Sequence, residues 1–102
     1  MNVKVLKLIG GVELVAEVIS DSAVDFVEVS RPLVVHVMRG ASGEPSLGFG
    51  DFCMTTNDTK SVKFYRTAML CELLDADEAV AQTYMQNVTG LVLPSNGKIL
   101  HG

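Results

Sequence analysis

Ser61-Val62-Lys63-Phe64-Tyr65-Arg66-Thr67-Ala68-Met69-Leu70-Cys71-Glu72-Leu73-Leu74 is the stretch that decides the fold class. Val62 and Phe64 alternate with Lys63 and Tyr65, the period of a strand with one buried face. Beyond Arg66-Thr67, Met69, Cys71 and Leu73 share one face and Leu70, Glu72 and Leu74 the other. The junction holds no Gly and no Asn-Gly, so an ordinary two-residue hairpin is not expected. The pattern predicts two short strands, 62–65 and 68–74, joined by a very tight bend. Neither contains Pro, and the second carries one charge, Glu72. Open edges of this kind pair with other chains unless covered, so a partner strand is expected.

Working outward, residues 3–9 are apolar and β-branched with Lys4 and Lys7 interleaved, which predicts a strand. Gly10-Gly11 punctuates it as a bend, a bulge or a close backbone approach. Val12, Leu14, Ala16 and Val18 then fall on one face and Glu13 and Glu17 on the other, a half-buried strand continuing through the bend. Ser20-Asp21-Ser22 is turn chemistry. In 25–30, Val27 and Val29 point inward, and Phe26, Glu28 and Ser30 outward. Arg31-Pro32 interrupts the ladder because Pro donates no hydrogen bond. Strands are expected again over 33–38 and 47–54, with loops at 40–45 and 55–60. About five strands with short turns indicate a small antiparallel barrel or sandwich.

The end of the chain differs. Asp75 is placed as an N-cap with Glu78 three residues later, and Val80, Tyr84 and Val88 make one apolar stripe on a helix of about three turns. Gly90 is the expected stop, 91–93 a short extended piece before Pro94, and 95–102 a loose tail. The division expected is 1–74 for the β unit, 75–94 for the helix and extended segment packed on it, and 95–102 for the tail, one domain in all.

The chain has 102 residues, 48% of them hydrophobic, and a formal net charge of −4. That hydrophobicity excludes disorder. No apolar run approaches the ~20 residues of a spanning helix, and no export signal is visible, so no membrane association and a cytoplasmic location are expected. The acidic balance speaks against broad electrostatic nucleic-acid binding but leaves room for a small basic site. Cys53 and Cys71 are expected as reduced thiols. Neither cysteine nucleophile elbow, triad partners for His36 and His101, phosphate-cradling Gly loop nor metal-ligand spacing is recognisable. The Asp75, Asp77, Glu78 cluster is explained by a helix N-terminus. The expectation is a non-catalytic protein without cofactor or metal.

Two segments in order carry a family resemblance. Leu8-Ile9-Gly10-Gly11-Val12-Glu13-Leu14-Val15-Ala16-Glu17-Val18 resembles the first motif of the Sm-like proteins, with Gly11 at the usual Gly and Ala16 at the second small position. Tyr65-Arg66-Thr67-Ala68-Met69 resembles the second motif of the bacterial Hfq-type members, Tyr-Lys-His-Ala-Ile. Asp25-Phe26-Val27 resembles the Gln-Phe-Val segment between them. The likeness spans residues 3–74. The N-terminal helix of the family is missing, a C-terminal helix is added, Arg66 replaces Lys, Thr67 replaces His, and 39–60 is longer. These departures are similar to a divergent, phage-encoded or environmental branch.

The resemblance implies a mainly β fold: a strongly bent five-stranded antiparallel Sm-like barrel of the SH3 type, here with the added helix. It implies that Gly11 permits the structural bend of the first strand. It implies a homo-oligomeric ring of about five to seven subunits, closed by strand pairing between 62–65 of one subunit and 68–74 of the next, with Val62, Phe64, Met69, Leu70 and Cys71 at the contact. It implies single-stranded RNA, uridine- or adenine-rich, as partner, with Phe26, Tyr65, Arg66 and Thr67 as binding residues in RNA metabolism or regulation. Each has an ordinary structural alternative: Tyr65 as a partly buried aromatic, Arg66 as a solvated turn charge, Phe26 as packing on a neighbour. The alternative function is a protein–protein assembly module that kept the ring and lost RNA, favoured by the acidic composition and by the missing His.

Overall fold

The chain reverses at Gly10-Gly11. In the computed structural model, which describes residues 2–89, β1 (Val3–Lys7) and β2 (Glu13–Ser20) form an antiparallel hairpin. The Leu8 N–H donates to the Val12 carbonyl at 2.8 Å, and the Gly11 N–H to the Leu8 carbonyl at 3.0 Å. Gly10 and Gly11 have φ of +100° and +93°, a conformation L side chains rarely adopt. The continuous bent strand expected through Gly11 is therefore a hairpin turn. A Gly pair serves a bend and a reversal equally well, and the apolar run on both sides masked the break. A Cβ on Gly11 would meet nothing within 4 Å, so the cost of a side chain lies in the backbone alone. Gly11→Val is expected to cost about 1–3 kcal/mol, read as a lowered melting temperature with the far-UV spectrum unchanged; a melt equal to the parent's would refute the strained turn.

β3 (Phe26–Arg39) is the long strand, and it serves three neighbours. Its middle, from Glu28 to Val34, pairs with β2, its first residues pair with β5 (Val62–Tyr65), and its second half with β4 (Pro45–Asp51). The sheet order is β4-β3-β2-β1-β6, with β5 on β3. After β5 the chain makes a single 3₁₀ turn, η1 (Arg66–Ala68), which is the tight bend expected without a Gly. It then runs beside β1: the Ile9 N–H donates to the Ala68 carbonyl and the Leu70 N–H to the Lys7 carbonyl, both at 2.8 Å. The expected strand 68–74 is otherwise reduced to a bridge between Leu8 and Met69 and to β6 (Leu74–Asp75) on β1, tied by an ion pair from Lys4 to Asp75. β5 and β6 do not pair with each other, so hydrogen bonds leave the barrel open.

The core lies on both faces of the sheet. Leu6, Leu14, Ala16, Val27, Val29 and Phe64 fill one side. Val3, Val15, Phe49 and Tyr84 fill the other, under α1 (Glu78–Thr89). β2 is thus buried twice over, with Val15 sealed beneath the helix rather than exposed beside Glu13 and Glu17. The stripe Val80, Tyr84, Val88 faces the sheet as its spacing requires. The helix begins later than expected: Asp77, not Asp75, caps it, its carboxylate accepting from the Ala79 N–H at 3.3 Å. The expected stop at Gly90, the piece 91–93 and the tail, including His101, lie outside the described residues.

One irregularity joins the sheet to the helix. Val15 pairs with Leu33 and Glu17 with Ser30, so β3 has an extra residue at Arg31-Pro32. Arg31 takes φ of +50°, in the left-handed region, although a proline follows. The bulge frees backbone groups that the Tyr84 hydroxyl collects. It donates toward the Ser30 and Arg31 carbonyls at 3.0 and 2.9 Å and accepts from the Glu17 N–H at 3.1 Å. Burial pushes the Tyr84 phenol above its ordinary pKa, which keeps the donor proton in place. Ser30, expected to point outward, is buried under this contact. Arg31 returns the favour by donating to the Val88 carbonyl at 3.1 Å, near the helix C-terminus.

Candidate nucleic-acid interface

Alternation along β3 and β5 sorts their side chains onto two faces. Phe26 opposes Tyr65, Val27 opposes Phe64, Glu28 opposes Lys63 and Val29 opposes Val62. Directly opposed residues share a face. Val27, Val29 and Phe64 are buried in the core, and half-buried Val62 packs on them. Phe26, Glu28, Lys63 and Tyr65 therefore stand together on the outer face. Tyr65 is 59% exposed and Phe26 half-buried. The Lys63 ammonium lies 4.9 Å from the Phe26 ring centroid, within cation–π range. Glu28 accepts from the Ser61 hydroxyl, which holds the acid beside Lys63. The result is an amphipathic platform: two aromatic residues at facing positions of the ladder, one cation and one acid.

The fold brings Arg66 next to these rings but turns its guanidinium away from them. Its backbone N–H extends the β3–β5 ladder to the Asp25 carbonyl at 2.9 Å. Its side chain reaches back to the 20–25 connection. Nε donates to the Ala23 carbonyl at 3.2 Å, and Nη2 to the same carbonyl at 2.8 Å. Nη2 also meets the Asp21 carbonyl at 3.2 Å and the Asp21 carboxylate at 2.7 Å. Arg66 is a clamp on the β2–β3 loop, with its charge offset by Asp21. Lys63 is the cation nearest the aromatic pair, and it was missed in the sequence because it reads as the polar member of an alternating strand. Its position opposite Glu28 and diagonal to Phe26 is visible only once the register is known. Thr67 sits exposed on η1.

The residues expected at a subunit contact divide in the same way. Phe64, 8% exposed, packs in the core of its own chain and edge-on to Phe52 at 5.2 Å between centroids. Val62 and Met69 are half-buried against that core. Leu70, 60% exposed, and Cys71 remain at the surface. Among the described residues, β5 pairs only with β3.

Among the described residues there is no group of three or more His, Cys, Asp or Glu placed to hold a metal ion. Nor is any described helix long and apolar enough to cross a membrane. No protein-family model matches the chain, and no curated protein matches it.

Proposed function

We propose that this protein is a ring-forming, non-catalytic RNA-binding module of Sm-like type that holds short single-stranded segments. The observation that carries the proposal is the outer face of β5. There Tyr65 and Lys63, with Phe26 opposite on β3, stand on a strand whose far edge is unpaired among the described residues. A base stacks on an aromatic face regardless of sequence, at about 1–3 kcal/mol per base. Repetition of one weak site around a ring makes the later contacts intramolecular and raises avidity without any new contact. An exposed backbone edge supplies the assembly contact, and head-to-tail pairing that closes on itself gives a ring.

Two measurements test this. Light scattering is expected to give a mass of five to seven chains, and Leu70→Lys a smaller one; a monomer at micromolar concentration would remove the ring. Fluorescence anisotropy with uridine- or adenine-rich oligomers at low salt is expected to show micromolar binding. Phe26→Ala should weaken binding by about five- to 100-fold with the salt slope unchanged, following from the loss of one stack. Lys63→Ala should lower the slope by about one phosphate contact per bound site.

A second functional class is favoured by one specific feature. Arg66, expected as an RNA-binding residue, is committed to Asp21 and Ala23, and the chain carries a net charge of −4. If the ring forms and RNA leaves the anisotropy unmoved at tens of micromolar protein, the module assembles proteins and not RNA.

A further inference from the structure

A second concave site lies farther along β3 from the Phe26–Tyr65 pair. The bulge, the end of β4, the loop after it and the last turn of α1 enclose a cleft of about 200 Å³. Arg31, Pro32, Asp51, Phe52, Asn57 and Asn87 line it. A neighbouring hollow of about 220 Å³ shares Asp51 and Asn87, which stand on the common wall.

The cleft is too large for a single ion or water, since a water occupies ~30 Å³ of liquid. It is smaller than the ~300–1,000 Å³ of pockets for drug-sized ligands. One heterocyclic ring system is the size it fits. Three polar side chains on its wall, Asp51, Asn57 and Asn87, are solvent-exposed and so within reach of the edge of such a ring. Among the described residues, no intrachain hydrogen bond engages the side chains of Asp51 and Asn57. Asn87 donates one N–H to the Thr83 carbonyl at 2.8 Å and keeps its own carbonyl oxygen for another partner. Pro32 and Phe52 supply apolar surface for a ring face. A carboxylate only accepts, through two oxygens side by side, and so pairs best with two adjacent donors. Among the common bases, guanine presents two such donors together, its ring N–H and its amino group.

The left-handed conformation of Arg31 is an independent sign. A non-glycine residue at φ of +50° before proline is strained, and such strain persists where the surroundings hold it and gathers at ligand sites. Here Tyr84 holds the adjoining carbonyls, so that wall of the cleft is set before any ligand arrives.

We infer that this cleft binds a single guanine base, with Asp51 accepting from the ring N–H and amino group and Asn57 and Asn87 flanking it. The site does not depend on the Phe26–Tyr65 platform or on ring formation. Titrating the labelled protein with each of the four ribonucleosides and inosine, followed by amide NMR, tests it. Guanosine is expected to shift the side-chain amide signals of Asn57 and Asn87, with inosine, which lacks the amino group, at least fivefold weaker. Asp51→Asn should remove at least tenfold of the guanosine affinity, and Asn57→Ala should weaken it, both with parental melting temperatures. Phe26→Ala should change nothing at this site. A short oligomer with one guanine that shifts the same signals at lower concentration would make the ligand a base within a strand; guanosine acting equally well would make it the free nucleoside. Asn57 and Asn87 signals that stay still with every nucleoside would overturn the inference. So would equal binding of guanosine and inosine, or full guanosine affinity in folded Asp51→Asn.

Discussion

Tyr84→Phe is expected to destabilise the protein by about 2–3 kcal/mol, although it removes a single oxygen. The hydroxyl is fully buried and serves two carbonyls and one N–H at the β2–β3 bulge. Without it these groups stay buried and lose their partner, which costs about 1–3 kcal/mol for an unsatisfied group. Tyr84→Ala adds the loss of the ring that fills the space between Val3, Val15 and Phe49, for a total of about 3–5 kcal/mol or more. At roughly 4–8 °C per kcal/mol for a domain near this size, the phenylalanine variant should melt about 8–24 °C lower. Thermal melts of both variants at one protein concentration check it. A Tyr84→Phe melt within two degrees of the parent would mean that water or another group satisfies the bulge.

Phe64→Ala is the second large effect, expected at about 3–5 kcal/mol. Phe64 is packed with Leu6, Leu14 and Val29 inside its own chain and touches Phe52 edge-on. Its loss should therefore unfold the subunit at every concentration, because the cavity opens within one chain. Leu70→Lys is the contrast: that side chain is already 60% exposed, so the fold should survive while the assembly mass falls. Denaturant melts at two concentrations tenfold apart separate the cases. If Phe64→Ala kept its stability and only lost mass, the residue would belong to the contact between subunits.

Much of the architecture is legible in the residue pattern, and the failures share a cause. Val27, Val29, Val62 and Phe64 alternate cleanly because each strand there has one buried face, and Val80, Tyr84 and Val88 mark the buried side of the helix. β2 misled because both of its faces are buried, and Glu13 and Glu17, on the same face as Val15, marked that face as exposed. The run 68–74 is apolar enough for a strand, yet the chain leaves β1 after Leu70 and returns only at Leu74. At the candidate interface, Phe26 and Tyr65 do meet across the ladder. The commitment of Arg66 to Asp21 could not be read, because it joins residues 45 positions apart. Arg31-Pro32 did announce a break in the ladder; that a tyrosine hydroxyl would answer it was hidden by counting Tyr84 as part of an apolar stripe.

The bulge at Arg31 has a consequence for the order in which the chain can mature as it is made. The groups it leaves open wait for a hydroxyl 53 residues further on. At the ~5–20 residues per second of synthesis, β2 and β3 emerge seconds before the helix that completes them. Until then water must hold the open carbonyls and the Glu17 N–H, and the face carrying Val15 has no cover. The nascent sheet is therefore a provisional object with one wet seam, and arrival of α1 completes its packing.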